Sequence, residues 1–383
     1  MPLGRERPAS LDRVRLRLLL VAVLVGLLAP AIATAHSGAG TAVDYQTVPE
    51  GLLDASGQPL SGAEITVHGG DDRLELRWSG QRELIVLGYA DEPYLRIGPD
   101  GAFENARSPS VESNRERFGT VVGTEAVDAA AAPEWRRISS EPLAVWHDHR
   151  SHWMSQGEPP PGVAAAEDER QVIQTYSIPV LLGGATASIP GRLEYIPPPS
   201  PWPYVAAILV LAAAGVVAVV RAPKHVAVWV ARGVAATGIL AGGALLVAGA
   251  VGAPSDGLTA GTTEGIPPFV QAGLWTALIA IIVAIWLRTG RRGSAAESVL
   301  MLVGTLVVAG VAGLSRISYL DHSVIPGDVP DAFARSLVVV CLVSLPAPAA
   351  WAWRTIGAIR AAGDGPDDRQ RSFEAPPREP VRA

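Results

Sequence analysis

Apolar residues are spread unevenly along this chain of 383 residues. They crowd into positions 1–35 and 202–356, whereas positions 36–200 mix polar and apolar residues as a soluble domain does. Only 18% of the residues are charged, while an ordinary soluble protein carries about 25%. This pattern predicts an exported domain attached to a bundle of membrane helices.

Polar and apolar residues alternate with period two over four stretches of the exported part, and a second β-like group of two stretches follows. Turns rich in glycine and aspartate separate the first of these stretches, which predicts short strands and a sandwich-like, all-β domain over 36–197. The middle of this part, 100–165, predicts long loops instead. The predicted strands are 64–69, 73–78, 83–89, 94–98, 172–182 and 185–196.

The segment 1–35 has the three parts of a secretory signal peptide. Five arginines lie between positions 5 and 17, an apolar core follows at 18–28, and the segment ends in a small-x-small cleavage signature at Ala35. An uncleaved membrane anchor is the alternative. Cleavage after Ala35 makes His36 the first residue, whose amine and imidazole together suit Cu(II). The alternative for His36 is an ordinary chain terminus.

A proline-rich linker at 198–203 leads into a predicted transmembrane bundle over 204–358. Gly238 and Gly242 have the spacing that allows two helices to pack closely. No carboxylate stands at mid-depth in a predicted span, which argues against an ion-coupled transporter. Five apolar stretches are each near the length that crosses a bilayer, at about 204–220, 230–251, 268–287, 297–314 and 336–356.

The signal peptide predicts an extracytoplasmic position for the β-domain, and five spans then put the C-terminus in the cytoplasm. Arginine and lysine residues follow the first, third and fifth spans, as the positive-inside rule requires. We therefore expect a multi-pass protein of a bacterial plasma membrane, with outer loops at 252–267 and 315–335 and a disordered cytoplasmic tail at 359–383. The second outer loop carries Tyr319, Asp321 and His322, which can meet the exported domain above the bundle. The alternative for His322 is an ordinary loop residue.

Charge and cysteine content exclude several classes of function. A net charge of −6 gives no basis for a nucleic-acid partner. Lys224 is the only lysine, so the chain has neither a Walker-type phosphate loop nor a Schiff-base lysine outside the membrane. Cys341 is the only cysteine and lies in an apolar stretch, which excludes an intrachain disulfide, thiolate zinc sites and iron–sulfur clusters.

Three of the seven histidines lie close together in the motif WHDHRSHWM at 146–154. If 145–150 is a strand, His147 and His149 share one of its faces. A turn then brings His152 beside this pair. Three imidazoles in that arrangement would hold copper or zinc and leave one coordination position open.

The same strand would place the other residues of the motif on the opposite face, with Trp146 as a core anchor and Asp148 paired with Arg150. Histidines between tryptophans also occur as packed structural residues, which is the alternative to a metal site. Catalysis without a metal is a third interpretation.

The order of a signal peptide, an exported β-domain that begins with His36 and a polytopic membrane part resembles fused CopC/CopD copper-resistance proteins. The resemblance implies copper as the ligand, with His36, Asp148 and His149 as counterparts of that family's copper ligands. It covers the layout rather than the sequence, because the exported domain is larger, the spans are fewer and the residues after His36 differ from the family's usual opening. The W-H-D-H-R-x-H-W-M pattern is similar to that of an uncharacterised bacterial family of polytopic membrane proteins, which implies no function.

These observations predict that the exported β-domain binds or senses a transition metal, with copper as the first choice and zinc as the alternative. The expected ligands are His147, His149, His152 and His36, and the bundle would anchor the domain or pass the metal onward. The expected partners are the lipid bilayer and envelope or metal-handling proteins. One alternative is a non-catalytic structural or interaction protein of the cell envelope. Another is an exported zinc-dependent hydrolase, which needs a general base that the motif does not provide.

Overall fold

The computed structural model describes residues 42–114, 131–155, 158–251, 275–277, 279, 295–327 and 329–363. Over these residues, a region rich in β-strands is followed by helices. The predicted signal peptide, His36, most of the predicted span at 268–287 and most of the tail at 359–383 lie outside the described residues.

The described residues contain eleven strands: β1 Tyr45–Pro49, β2 Leu53–Asp54, β3 Ala63–His68, β4 Arg73–Trp78, β5 Leu84–Leu87, β6 Pro93–Gly98, β7 Gly101–Asn105, β8 Trp135–Ser139, β9 Leu143–Trp146, β10 Gln171–Leu182 and β11 Ala185–Tyr195. Eight of them form one antiparallel sheet in the order β1-β11-β10-β5-β6-β7-β8, with β2 also paired to β11. The other three form a second antiparallel sheet in the order β3-β4-β9.

The two sheets share one hydrophobic core. Leu74 and Leu76 of β4 and Trp146 of β9 pack in the same buried cluster as Ile178 and Val180 of β10. In each strand these residues stand at alternate positions, so the period-two pattern directs one face of each strand to the core. Burial of this apolar surface is the main force that holds the sheets together.

The six predicted strands are confirmed at nearly the same bounds. Strands β7 and β8 lie in the stretch predicted to be looped; they are short, and β8 carries two consecutive arginines, so alternation does not reveal them. The strand expected at 145–150 is wrong beyond Trp146. Strand β9 ends there because the Asp148 carboxylate accepts hydrogen bonds from the indole of Trp146 and from the backbone N–H of Arg150. The chain then turns.

The described residues also contain eight α-helices: α1 Pro109–Ser113, α2 Pro161–Ala165, α3 Trp202–Arg221, α4 Lys224–Val251, α5 Ala295–Thr305, α6 Val311–Leu314, α7 Asp331–Val343 and α8 Pro346–Gly363. A π-helical segment, Leu306–Gly310, joins α5 to α6, and a 3-10 helix, Ile317–Leu320, follows. Four helical segments are long and apolar enough to cross a membrane, and they support a multi-pass membrane protein. They are Trp202–Arg221, Lys224–Gly249, Glu297–Leu314 and Asp331–Ala358.

Helix α4 packs closely against the π-helical segment at the glycines that the sequence singled out. A Cβ atom on Gly242 would lie 2.7 Å from the carbonyl oxygen of Val308 and 2.9 Å from the Cα atom of Ala309. A Cβ atom on Gly238 would collide with the Ser344 side chain. The predicted close approach of helices is therefore confirmed, and both positions need a residue without a side chain.

Candidate functional site

The motif at 146–154 forms a corner at the end of β9, built around a buried carboxylate. Asp148 is 1% exposed. Its Oδ1 accepts from Nε of Arg150 at 2.8 Å, and its Oδ2 accepts from Nη2 of Arg150 at 2.8 Å and from Nε1 of Trp146 at 3.1 Å. The pairing of Asp148 with Arg150 expected from the sequence is confirmed. Asp148 is thus an internal anchor of the corner.

Arg150 connects the corner to the large sheet. Its Nη2 donates to the carbonyl of Leu87 at 3.2 Å, and its guanidinium carbon lies 4.9 Å from the centre of the Tyr89 ring. Burial acts to lower the pKa of Arg150, but the hydrogen bonds and charge of Asp148 outweigh it, so the pKa lies above its ordinary value. The guanidinium therefore stays charged, as a buried partner of Asp148 must.

Tyr89 also contacts the corner, through both its hydroxyl and its ring. Its hydroxyl donates to Oδ1 of Asn114 and accepts from the backbone N–H of His149 at 2.8 Å. Its ring stacks on the His149 imidazole with the centroids 6.0 Å apart and the planes at 27°. Burial raises the pKa of Tyr89, as does the charge of Asp148, so the hydroxyl keeps its proton at neutral pH.

Backbone carbonyls of the corner are bonded to the strands beneath it. The Thr47 hydroxyl donates to the Ser151 carbonyl at 2.6 Å. The amide of Gln174 donates to the carbonyls of Arg150 and His152 at 3.1 and 3.3 Å. These bonds join β1 and β10 to the corner, so its conformation is fixed by both neighbours.

His147 is turned toward the loop between β3 and β4. Its Nδ1 donates to the carbonyl of Asp72 at 2.6 Å and lies 3.5 Å from the Asp72 carboxylate. Its Nε2 accepts from Nε of Arg73 at 3.3 Å. Both ring nitrogens are therefore engaged by protein groups, and the arginine fixes the tautomer with the proton on Nδ1.

His149 and His152 are the two motif histidines that the structure brings together. Their ring centroids lie 5.3 Å apart with the planes at 87°. His152 is buried, and its Nδ1 lies 3.3 Å from the Trp153 carbonyl. In the part of the chain that the structure describes, no group of three or more histidine, cysteine, aspartate or glutamate residues could hold a metal ion. His36 lies outside that part, so ligation by the four predicted residues stays a prediction.

The β-domain meets the loop that precedes α7 directly. Val43 and Val324 form an antiparallel bridge and exchange two backbone hydrogen bonds of 3.0 and 2.9 Å. The backbone N–H of Ser323 donates to the Asp44 carboxylate at 2.8 Å, and the Ser323 hydroxyl donates to the carbonyl of Ile196 at 2.8 Å. The sequence left open whether this loop meets the β-domain, and the structure brings the two together through Ser323 and Val324.

Arg335 of α7 is hydrogen-bonded to the same loop, and His322 of the loop lies near two carboxylates. Two nitrogens of Arg335 donate to the carbonyls of Tyr319, His322 and Ser323. The His322 imidazole lies 2.9 Å from the Asp321 carboxylate and 4.0 Å from that of Asp44.

The motif reaches this junction through the β3–β4 turn. Gly70 has a φ of +80°, and a Cβ atom there would lie 2.7 Å from Val324 and 2.8 Å from the carbonyl oxygen of Tyr45. His147 binds Asp72, two residues further along the same turn. The corner therefore supports the β3–β4 turn, which packs closely against Val324 in the loop that precedes α7.

A buried ion pair inside the bundle was not predicted. Glu297 of α5 is 1% exposed, and its Oε1 accepts from Nε of Arg232 in α4 at 2.5 Å. The Arg232 guanidinium also lies 5.0 Å from the ring centre of Trp229. The sequence does show that Arg232 and Glu297 each stand at the start of an otherwise apolar stretch. That these two charges pair with each other follows only from how the two helices pack.

No protein-family model, curated protein or solved structure matches the chain.

Proposed function

We propose that the chain is a non-catalytic membrane protein of the cell envelope that holds a β-domain against the extracytoplasmic end of its helical bundle as an interaction module. The observation that carries this proposal is the antiparallel bridge between Val43 and Val324. A domain tied to a transmembrane bundle only by the linker at 198–203 would need no such contact.

The directions of α4 and α5 support five crossings. Helix α4 touches α5 through Arg232 and Glu297 near the start of both, and touches the segment after α5 through Gly242 and Val308 further along. The two helices are therefore parallel, so a return crossing must lie between them. We assign this crossing to the predicted span at 268–287, which lies mostly outside the described residues.

Polar groups of the motif serve this arrangement. His147 holds the β3–β4 turn, and the Asp148–Arg150 pair fixes the corner on the large sheet. Side chains that hold a fold together in this way are already engaged, which favours a structural part for them over catalysis.

Cysteine labelling in intact cells tests the topology. In a Cys341→Ser background, single cysteines replace three exposed residues: Ser79, Asp321 and Arg221. A membrane-impermeant maleimide should label Ser79→Cys and Asp321→Cys directly and Arg221→Cys only after permeabilisation. Labelling of Asp321→Cys on the same side as Arg221→Cys would refute the arrangement.

A copper or zinc ion on His149 and His152 is the second candidate function. The spacing of their rings favours it, since two imidazoles this close can ligate one ion. His147 contributes less, because it already binds Asp72 and Arg73.

Metal titration of the purified full chain separates the two candidates. Saturable Cu(II) or Zn(II) binding that is lost in His149→Ala/His152→Ala and retained in His68→Ala would establish the metal site. Binding that is absent, or equal in both variants, would leave the motif as a structural corner. His68 is the control because it lies on β3, outside the motif, where its Nε2 binds the Glu75 carboxylate of β4 at 2.8 Å.

A further inference from the structure

Arg316 lies at the outer end of the bundle, directly after α6 and before the 3-10 helix. It is 6% exposed, so its guanidinium is removed from most of the solvent. One of its nitrogens donates to Oγ of Ser315 at 3.1 Å, and its charge acts on the neighbouring hydroxyl of Tyr319. Among the described residues, no carboxylate oxygen lies within 4.0 Å of it.

Other arginines of the described bundle are compensated in ways that Arg316 is not. Arg232 lies on the Glu297 carboxylate. Arg335 and Arg354 each donate to more than one backbone carbonyl at the end of a helix or in a loop. The partners of Arg316 in the described residues are hydroxyl groups, which carry no charge.

Tyr319 does not supply the missing negative charge. Burial raises the pKa of its hydroxyl above the ordinary value, although the charge of Arg316 acts in the opposite direction. The hydroxyl is therefore protonated at neutral pH. Its oxygen faces the charge of Arg316, and its proton can be donated to an acceptor.

Ser315 positions the guanidinium without neutralising it. Its hydroxyl accepts from Arg316 and lies 3.3 Å from the carbonyl of Ala312, to which it donates. The last carbonyls of α6 carry only a partial negative charge. A buried guanidinium that has a hydroxyl acceptor and no carboxylate beside it gains from a counter-charge.

We infer that Arg316 and Tyr319 form a binding site for a monovalent anion at the outer end of the bundle. The remaining guanidinium N–H groups and the Tyr319 hydroxyl proton are the donors that the anion accepts from. A chloride ion and the phosphodiester of a lipid headgroup share the single negative charge that the site needs. This inference is independent of the function proposed above.

Thermal unfolding of the full-length chain in an uncharged, lipid-free detergent tests the site. Unfolding is compared in sodium chloride and sodium gluconate at equal ionic strength. Chloride should raise the unfolding temperature of the wild-type chain saturably, by about 2 °C or more. Arg316→Gln should lose this rise, Arg316→Lys should keep part of it, and Arg221→Gln, which changes an exposed arginine at the other end of the bundle, should behave as wild type. A second arm adds phosphatidylglycerol to the gluconate samples.

The two arms identify the source of the anion. A chloride effect that depends on Arg316 supports the site with a free ion, and a phosphatidylglycerol effect that depends on Arg316 supports it with a lipid headgroup. Equal responses in wild type and Arg316→Gln, or no response in either arm, would overturn the inference. In gluconate alone, Arg316→Gln should be at least as stable as wild type. A large loss of stability there would show that the hydroxyls already satisfy Arg316, and it would also overturn the inference.

Discussion

Asp148 and Arg150 form a two-pronged ion pair inside the corner that ends β9, with both oxygen–nitrogen distances at 2.8 Å. The aspartate side chain is fully buried, and the indole of Trp146 occupies a further lone pair. Since the backbone N–H of Arg150 also binds this carboxylate, at 3.1 Å, a single side chain sets the path of the turn. That path places His149 beside His152 and directs His147 toward the β3–β4 turn.

Replacing Asp148 with asparagine should strongly destabilise the β-domain. The substitution leaves Arg150 buried without its counter-charge, and breaking a buried pair costs about 3–5 kcal/mol. Thermal or denaturant unfolding of the full chain measures the loss. Asp100→Asn is the matched control, because Asp100 makes an exposed ion pair with Arg96 that is worth about 1 kcal/mol or less. Similar losses in both variants would contradict a central part for Asp148.

Tyr89→Phe should destabilise the corner by about 1–3 kcal/mol, because the backbone N–H of His149 and the side chain of Asn114 lose their partner. The aromatic ring and its stacking on His149 remain in this variant. Unfolding measurements should show the loss, and amide exchange at His149 should become faster. Unchanged exchange at that amide would show that the hydroxyl does not hold the corner.

Gly242→Ala should loosen the bundle, whereas Gly233→Ala on the same helix should not. A Cβ atom at Gly242 meets the backbone of Val308 and Ala309 below 3.0 Å, but nothing lies within 4 Å of a Cβ atom at Gly233. Since alanine favours a helix over glycine by about 1 kcal/mol, Gly233→Ala should be neutral or stabilising. Thermal unfolding in detergent compares the two. Equal behaviour would argue against the close packing at Gly242.

Acid should weaken the β-domain through Glu92 and Glu194. Burial alone would raise the pKa of Glu92, but hydrogen bonds from Ser108 and Ser110 outweigh it, and hydrogen bonds from Arg192 lower the pKa of Glu194. A carboxylate whose pKa is lower in the folded state adds stability above its unfolded pKa and loses it as the pH falls. Stability should therefore decline below about pH 5.

Glu92→Gln tests this acid dependence directly. The variant should be less stable than wild type at neutral pH, and the difference between them should shrink as the pH falls. A constant difference across the acid range would show that ionised Glu92 is not the source of the dependence. Unfolding temperatures measured from about pH 7 down to about pH 4 provide the comparison.

Local patterns predicted the local structure well. The pairing of Asp148 with Arg150 was predicted from a strand through 145–150, and it forms although the chain turns there. Alternation located four strands, a β-like pattern located two more, and the spacing of Gly238 and Gly242 located a close helix contact. Each of these depends on residues that are near in sequence, where the periods of helices and strands apply.

Contacts between distant segments were not accessible to the same reasoning. His147 binds Asp72, Arg232 pairs with Glu297, and Val43 bridges to Val324. Such pairs are set by how sheets and helices pack, and one sequence does not specify that packing. The strand expected through 145–150 also failed because hydrogen bonds of a side chain within the motif replaced the sheet pairing.

The docking of the β-domain on the loop that precedes α7 is tested most directly by a disulfide between Val43→Cys and Val324→Cys in a Cys341→Ser background. A hydrogen-bonded antiparallel pair has its Cα atoms about 5.5 Å apart, within the range of a disulfide. Mild oxidation of the chain in membranes should link the two cysteines, seen as an intact chain after cleavage at a protease site inserted between them. Ser79→Cys with Val324→Cys should not link. If the first pair also stays unlinked in folded protein, the β-domain is not docked there and the central claim is wrong.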